Sequence, residues 1–182
     1  SDLEASGLGG PIHASATLTL GDTAYLFAAT ETPGQLGTYR IEPDGSLALV
    51  RGPSAPTGNP GDIAAMVAVT DGGKGWLVLA SALDDMLQCY RVNGDGSLKQ
   101  VDSLGAADGL GVNLPSVLAS VTLDGRAFVL AGAAGSSSLS VIALDDRVMT
   151  ATDHLVDSLD TRFQGLGSLA TAMAGDRAYV LA

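Results

Sequence analysis

Leu36-Gly37-Thr38-Tyr39-Arg40-Ile41-Glu42-Pro43-Asp44-Gly45-Ser46-Leu47 returns further along the chain as Leu87-Gln88-Cys89-Tyr90-Arg91-Val92-Asn93-Gly94-Asp95-Gly96-Ser97-Leu98. In both copies a β-rich hexapeptide runs into an Asp-Gly turn and then into a second apolar segment, the pattern of an antiparallel hairpin. A third copy, Leu139-Ser140-Val141-Ile142-Ala143-Leu144, ends in Asp145-Asp146-Arg147. It has lost the glycine, so a different turn is expected there.

Working outward, each hexapeptide is preceded by an aromatic-anchored strand: Tyr25-Leu26-Phe27-Ala28, Trp76-Leu77-Val78-Leu79 and Phe128-Val129-Leu130-Ala131, with Tyr179-Val180-Leu181-Ala182 in a fourth copy. The anchors Tyr25, Trp76, Phe128 and Tyr179 recur about every 51 residues, a period diagnostic of repeat architectures. Ahead of each lies a turn signal, Gly21-Asp22, Asp71-Gly72-Gly73, Asp124-Gly125 or Gly175-Asp176. These turns can supply the positive φ of a tight hairpin. The first arm of that hairpin is a small-residue segment: Ala14 to Leu20, Ala64 to Thr70, Val117 to Leu123, and Leu169 to Ala174.

Four strands per unit, joined by short hairpins and separated by Gly-rich loops, define an all-β chain of β-propeller blades. The loops echo one another in Gly7-Leu8-Gly9, Gly109-Leu110-Gly111 and Gly165-Leu166-Gly167. The expected division is an interblade loop at 1–12, blades at 13–62, 63–115 and 116–167, and the first half of a further blade at 168–182. Seven such repeats would need about 360 residues, so the chain is expected to be part of a seven-bladed propeller. Its remaining blades would come from the same or a partner polypeptide, covering the strand edge after Ala182.

Composition limits the partners. Nine Lys and Arg against twenty Asp and Glu give a net charge of −11, which repels nucleic acid phosphates and anionic membrane surfaces. Apolar runs such as Trp76 to Ala80 and Ala127 to Ala131 fall far short of the roughly 20 residues of a membrane span. With Cys89 as its single cysteine, the chain forms no internal disulfide.

The small-residue first strand, the Gly/Asp turn, the Tyr-Leu-Phe-Ala strand and Leu36 to Leu47 together resemble the lactonase-like, or YVTN-type, seven-bladed propellers. The chain is also similar to propeller arrays in large secreted calcium-binding bacterial proteins of the RTX type. The first resemblance implies a hydrolase or isomerase with His, Glu and Arg around the channel mouth, where the strand starts here are His13, Ala64, Ser116 and Gly167. The second implies an extracellular or periplasmic module with calcium as its ion, and the binding-module reading adds a protein or glycan as ligand.

Among individual residues, His13 is the candidate catalytic group, because an imidazole on an inner strand at the channel mouth can act as a general base. Asp62, Asn59 and Asn113 lie close in sequence to the same rim. Asp84-Asp85 at one hairpin tip and Asp145-Asp146 at another are candidate metal ligands if other loops converge on them. Asn93 to Ser97 has the alternating oxygens of a calcium loop, but Leu104 stands where its bidentate acid belongs, so a turn is expected. Cys89 reads as a buried thiol beside Arg91, and His154 as a surface residue. Gly165 to Ala170 fits a dinucleotide pattern but opens a strand, whereas that motif must open a helix. No cofactor is expected. The reading favoured by the residues is a non-catalytic scaffold or binding module, with the lactonase-like enzyme as the alternative.

Overall fold

The computed structural model describes residues 10–31, 34–58, 60–161 and 164–182. Gly7-Leu8-Gly9 and Asn59 lie outside the described residues. Among the described residues fourteen strands follow one another in chain order. The first sheet contains β1 (Ala14–Leu20), β2 (Thr23–Ala29), β3 (Leu36–Ile41) and β4 (Leu47–Ser54). The second contains β5 (Ala65–Asp71), β6 (Lys74–Ser81), β7 (Met86–Val92) and β8 (Leu98–Leu104). The third contains β9 (Pro115–Leu123), β10 (Arg126–Ala133), β11 (Ser138–Asp145) and β12 (Val148–Val156), and β13 (Ala170–Ala174) pairs with β14 (Arg177–Leu181). All pairings are antiparallel between strands adjacent in sequence. A 3-10 turn, Ala106–Asp108, sits in the loop between the second and third sheets.

The aromatic anchors are structurally equivalent. Tyr25 pairs with Leu18, Trp76 with Val69, Phe128 with Val121 and Tyr179 with Ala172, in each case on the third rung from the hairpin turn. The turns take the expected conformation, with φ of +54° at Gly72 and +74° at Gly73, and +50° at Asp124 and +75° at Gly125.

The inner strands β1, β5, β9 and β13 pack against one another in succession, so the sheets fan out side by side as propeller blades do. This placement explains why β6 is buried along almost its whole length. Its period-2 alternation sends Leu77 and Leu79 to a core shared with Tyr25, Phe27 and Ile63 of the first sheet and its following loop. Trp76 and Val78 go to the opposite face, against Val129, Ile142, Leu144 and Met149 of the third sheet. Each fully buried side chain of this kind contributes roughly 1.5–3 kcal/mol.

Tyr25 and Trp76 therefore each face the sheet that follows. Tyr25 and Trp76 are 3% and 1% exposed, Phe128 is half-buried, and Tyr179 is 50% exposed. The gradient tracks how much neighbouring sheet covers each position. Beyond the third sheet lies the β13–β14 hairpin, which presents Met173, Tyr179, Val180 and Leu181 to solvent.

The third blade's outer turn differs as expected. Ile41 pairs with Leu47 and Val92 with Leu98, enclosing Glu42 to Ser46 and Asn93 to Ser97. Asp145 pairs directly with Val148, leaving only Asp146 and Arg147 in the turn, with Asp146 at φ +53°.

Candidate functional site

One rim of the fan is built from the turns between second and third strands and from the loops that lead into each inner strand. His13 lies here, at the start of β1, where its backbone N–H donates to Ala29 O at 2.8 Å. Its Nδ1 is 3.7 Å from Glu31 Oε2, and both side chains are exposed. This pair is the arrangement on the rim closest to an acid–base couple.

The neighbouring blade places a carboxylate where the first has none. Asp62 is 3% exposed, in the loop entering β5. Its Oδ2 accepts the Ala82 N–H and its Oδ1 the Leu83 N–H, both at 3.1 Å, and Ser81 Oγ lies 2.6 Å from Oδ1. Ser81 Oγ is also 2.8 Å from Asp84 Oδ2 and accepts the Asp84 N–H at 3.1 Å. Asp84 Oδ2 in turn accepts the Gly61 N–H at 2.9 Å. Buried carboxylates need this many donors to offset their lost hydration.

Asp85 makes the same kind of link one blade further on. Its Oδ1 accepts the Leu114 N–H at 2.6 Å and its Oδ2 the Asn113 side-chain amide at 3.1 Å. Asp85 and Leu114 both sit in the left-handed region, at φ +50° and +51°. The bonds thus hold a strained loop against the neighbouring hairpin. Asp84 and Asp85 are therefore braces between a hairpin tip and the loop entering an inner strand.

Asp145 and Asp146 occupy the opposite rim. The run of β6 from Lys74 to Ser81 separates the two ends by about 20 Å at the usual strand rise. The two acidic pairs do not converge, and among the described residues no three His, Cys, Asp or Glu side chains gather to hold a metal. Asp146 contacts Lys74 Nζ, and Arg147 Nε stands 3.7 Å away. Lys74 holds the Asp146 carboxyl below its ordinary range, with Arg147 and Arg91 adding to the effect.

Cys89 is fully buried, and burial, with the nearby Asp102 charge, pushes its thiol up to about 12. A thiol so placed is a poor nucleophile. His154 is exposed on β12, its Nδ1 2.8 Å from Ser140 Oγ. Asn93 to Ser97 forms a turn closed by Gly96 N–H to Asn93 O and Asn93 N–H to Ser97 O, both 2.9 Å. Gly165 to Gly167 lead into β13 and open no helix.

Sequence reasoning named Asp62 only as a neighbour of the rim and missed its brace, because backbone N–H acceptors leave no side-chain motif to find. It missed also that Lys74, Arg91, Lys99 and Arg147 gather around Trp76 at the far rim.

The geometry defines the chain as a set of β-propeller blades, and comparison with solved structures agrees. It superposes on the periplasmic gluconolactonase of Pseudomonas aeruginosa with a TM-score of 0.57 at 22% identity, covering 77% of this chain and 39% of that one. An exo-β-1,3-galactanase from Clostridium thermocellum gives 0.64 at 16% identity, covering 94% and 42%. A protein of unknown function from Desulfotomaculum acetoxidans gives 0.65 at 14% identity, covering 92% and 48%. The chain spans less than half the length of each. At these identities the likeness is one of fold, shared by enzymes of different chemistry. No protein-family model and no curated protein matches the sequence.

Proposed function

We propose that the chain is a β-propeller scaffold and ligand-binding module of a larger extracellular or periplasmic bacterial polypeptide. The observation that carries this reading is the use of the rim carboxylates. Asp62, in the loop entering β5, spends its acceptor capacity on the Ala82 and Leu83 amides of the β6–β7 hairpin, while Asp84 and Asp85 of that hairpin accept from Gly61 and Leu114 in the loops that join successive blades. A rim so braced is suited to presenting a rigid surface to a protein or glycan. The open face of β13–β14 supports the companion proposal that further blades, from the same polypeptide or a partner, pack there. Calcium and an origin in an RTX-type array remain part of this proposal, tested by whether a chelator changes the thermal midpoint of the full polypeptide.

The second reading, a lactonase-like hydrolase or isomerase, is favoured by one observation, the His13–Glu31 pair at 3.7 Å on the rim. Turnover of simple lactones by the full polypeptide, with and without His13→Ala, separates the two. Unchanged folding and no His13-dependent turnover is the expected result. A loss of more than about a hundredfold with stability intact would move the assignment to the enzyme.

A further inference from the structure

On the rim opposite His13, a cleft of about 320 Å³ opens between the second and third sheets, lined by Lys74, Trp76, Arg91, Lys99, Asp146 and Arg147. Four of the nine Lys and Arg residues of a chain with net charge −11 thus converge on one place. Trp76 pairs with Arg91 across β6 and β7, and Arg91 with Lys99 across β7 and β8, so the three stand in a row across one face. The Arg91 guanidinium lies 4.9 Å from the Trp76 ring centroid, which holds its planar fork in place.

Two features of this row are unfavourable in the chain by itself. Like charges directly opposite on neighbouring strands repel, yet Arg91 and Lys99 are such a pair. Only Asp146, among the described residues, forms an ion pair within the cluster, and it serves Lys74 and Arg147. Furthermore, Trp76 is 1% exposed, and its Nε1 is buried without an acceptor. A buried donor left unpaired costs about 1–3 kcal/mol.

The repeat supplies an internal control. At the rung of Lys74 the first and third blades carry Thr23 and Arg126. At the Arg91–Lys99 rung they carry Arg40–Ala48 and Ala143–Thr150. The third and fourth repeats keep a cation at the Lys74 rung, Arg126 and Arg177, but neither of the other two complete blades carries the Arg91–Lys99 pair, so the fold does not require that pair. In the first blade the equivalent aromatic is satisfied, since Tyr25 Oη donates to Gly94 O at 2.8 Å from the long outer turn of the next blade. In the third blade that turn is reduced to Asp146 and Arg147, and Trp76 Nε1 has no acceptor there.

We infer that this cleft is a binding site for a small organic oxyanion, a carboxylate or sulfate group carried by a sugar-sized ligand. Such a group would lie between Arg91, Lys99 and Arg147, neutralising the like-charge row above the buried indole. Charge-assisted hydrogen bonds of this kind are about twice as strong as neutral ones. The inference deepens the binding-module reading by naming the ligand's chemistry.

Trp76 is the only tryptophan, so its indole N–H resonance reports on this cleft alone. The chain is titrated with glucuronate, sodium sulfate and neutral glucose at constant ionic strength in chloride. Saturable movement of the indole resonance with glucuronate or sulfate is expected, at least tenfold tighter than with glucose. Lys99→Gln and Arg147→Gln should each weaken it at least fivefold with the thermal midpoint unchanged or raised, and Arg126→Gln, a cation on the next blade, should leave it intact. No saturable shift by about 50 mM, equal binding of glucose, or full binding by both cleft variants would overturn the inference. None of these outcomes bears on lactone turnover through His13, so the two readings fail separately.

Discussion

Gly96 sits at φ +76° in the turn that reaches the first blade, and a Cβ added there would lie 2.9 Å from Tyr25 Cε1 and 3.0 Å from Val50 Cγ1. Gly96→Ala should therefore cost about 2 kcal/mol or more, read as a lowered denaturant midpoint. Gly94→Ala, where an added Cβ meets nothing within 4 Å, should be close to neutral, and equal losses would show that the contact is not the cause. Cys89 makes a separate prediction. Its thiol is pushed from an ordinary 9.0 to about 12 by burial and by Asp102. The folded state therefore keeps its proton where the unfolded state releases it. Stability from this group is intact below pH 9 and declines toward pH 12, at up to about 1.4 kcal/mol per unit. Cys89→Ala should flatten that decline, although Tyr90, also raised by burial, keeps part of it. A slope unchanged by the substitution would count against it.

At the scale of strands and loops, the brace around Asp62 should matter more than its position in a loop suggests. Asp62→Ala strips acceptors from the Ala82 and Leu83 N–H groups and from buried Ser81. A loss of about 2–4 kcal/mol in urea unfolding is expected. His13→Ala, on an exposed side chain, should fall within about 0.5 kcal/mol of the parent. Comparable losses at both positions would remove the distinction between brace and surface. The hairpins were legible from sequence because turn glycines and alternating apolar residues mark them directly. β1 and β3 begin and end at the residues expected, whereas β9 starts earlier, at Pro115, where the register shifts beside Gly132 and Ala133. The braces were not legible, since their donors are backbone amides that any residue carries. The cation row was hidden for another reason. Aligning repeats emphasises what they share, and Lys99 departs from the repeat, standing where the other blades carry Ala48 and Thr150.

For the whole molecule, the graded cover on Tyr25, Trp76, Phe128 and Tyr179 predicts graded protection of the backbone. Amide hydrogen exchange should be slowest in β6, buried on both faces, and fastest in β13–β14. Uniform protection across the four anchor strands would mean that the faces are covered in solution by something other than the following sheet. A polypeptide carrying further repeats should slow exchange in β13–β14 while leaving β6 unchanged.

The order of pairing within each sheet, β1-β2-β3-β4 and likewise for the next two, has a consequence for synthesis. Every ladder among the described residues joins a strand to the one made immediately before it, so none of these strands waits for a distant partner. Such local pairing closes small loops and carries a low entropic cost. A ribosome releasing this chain would let each blade complete its hydrogen bonds as its outermost strand emerges, and the next blade would then assemble against a finished template.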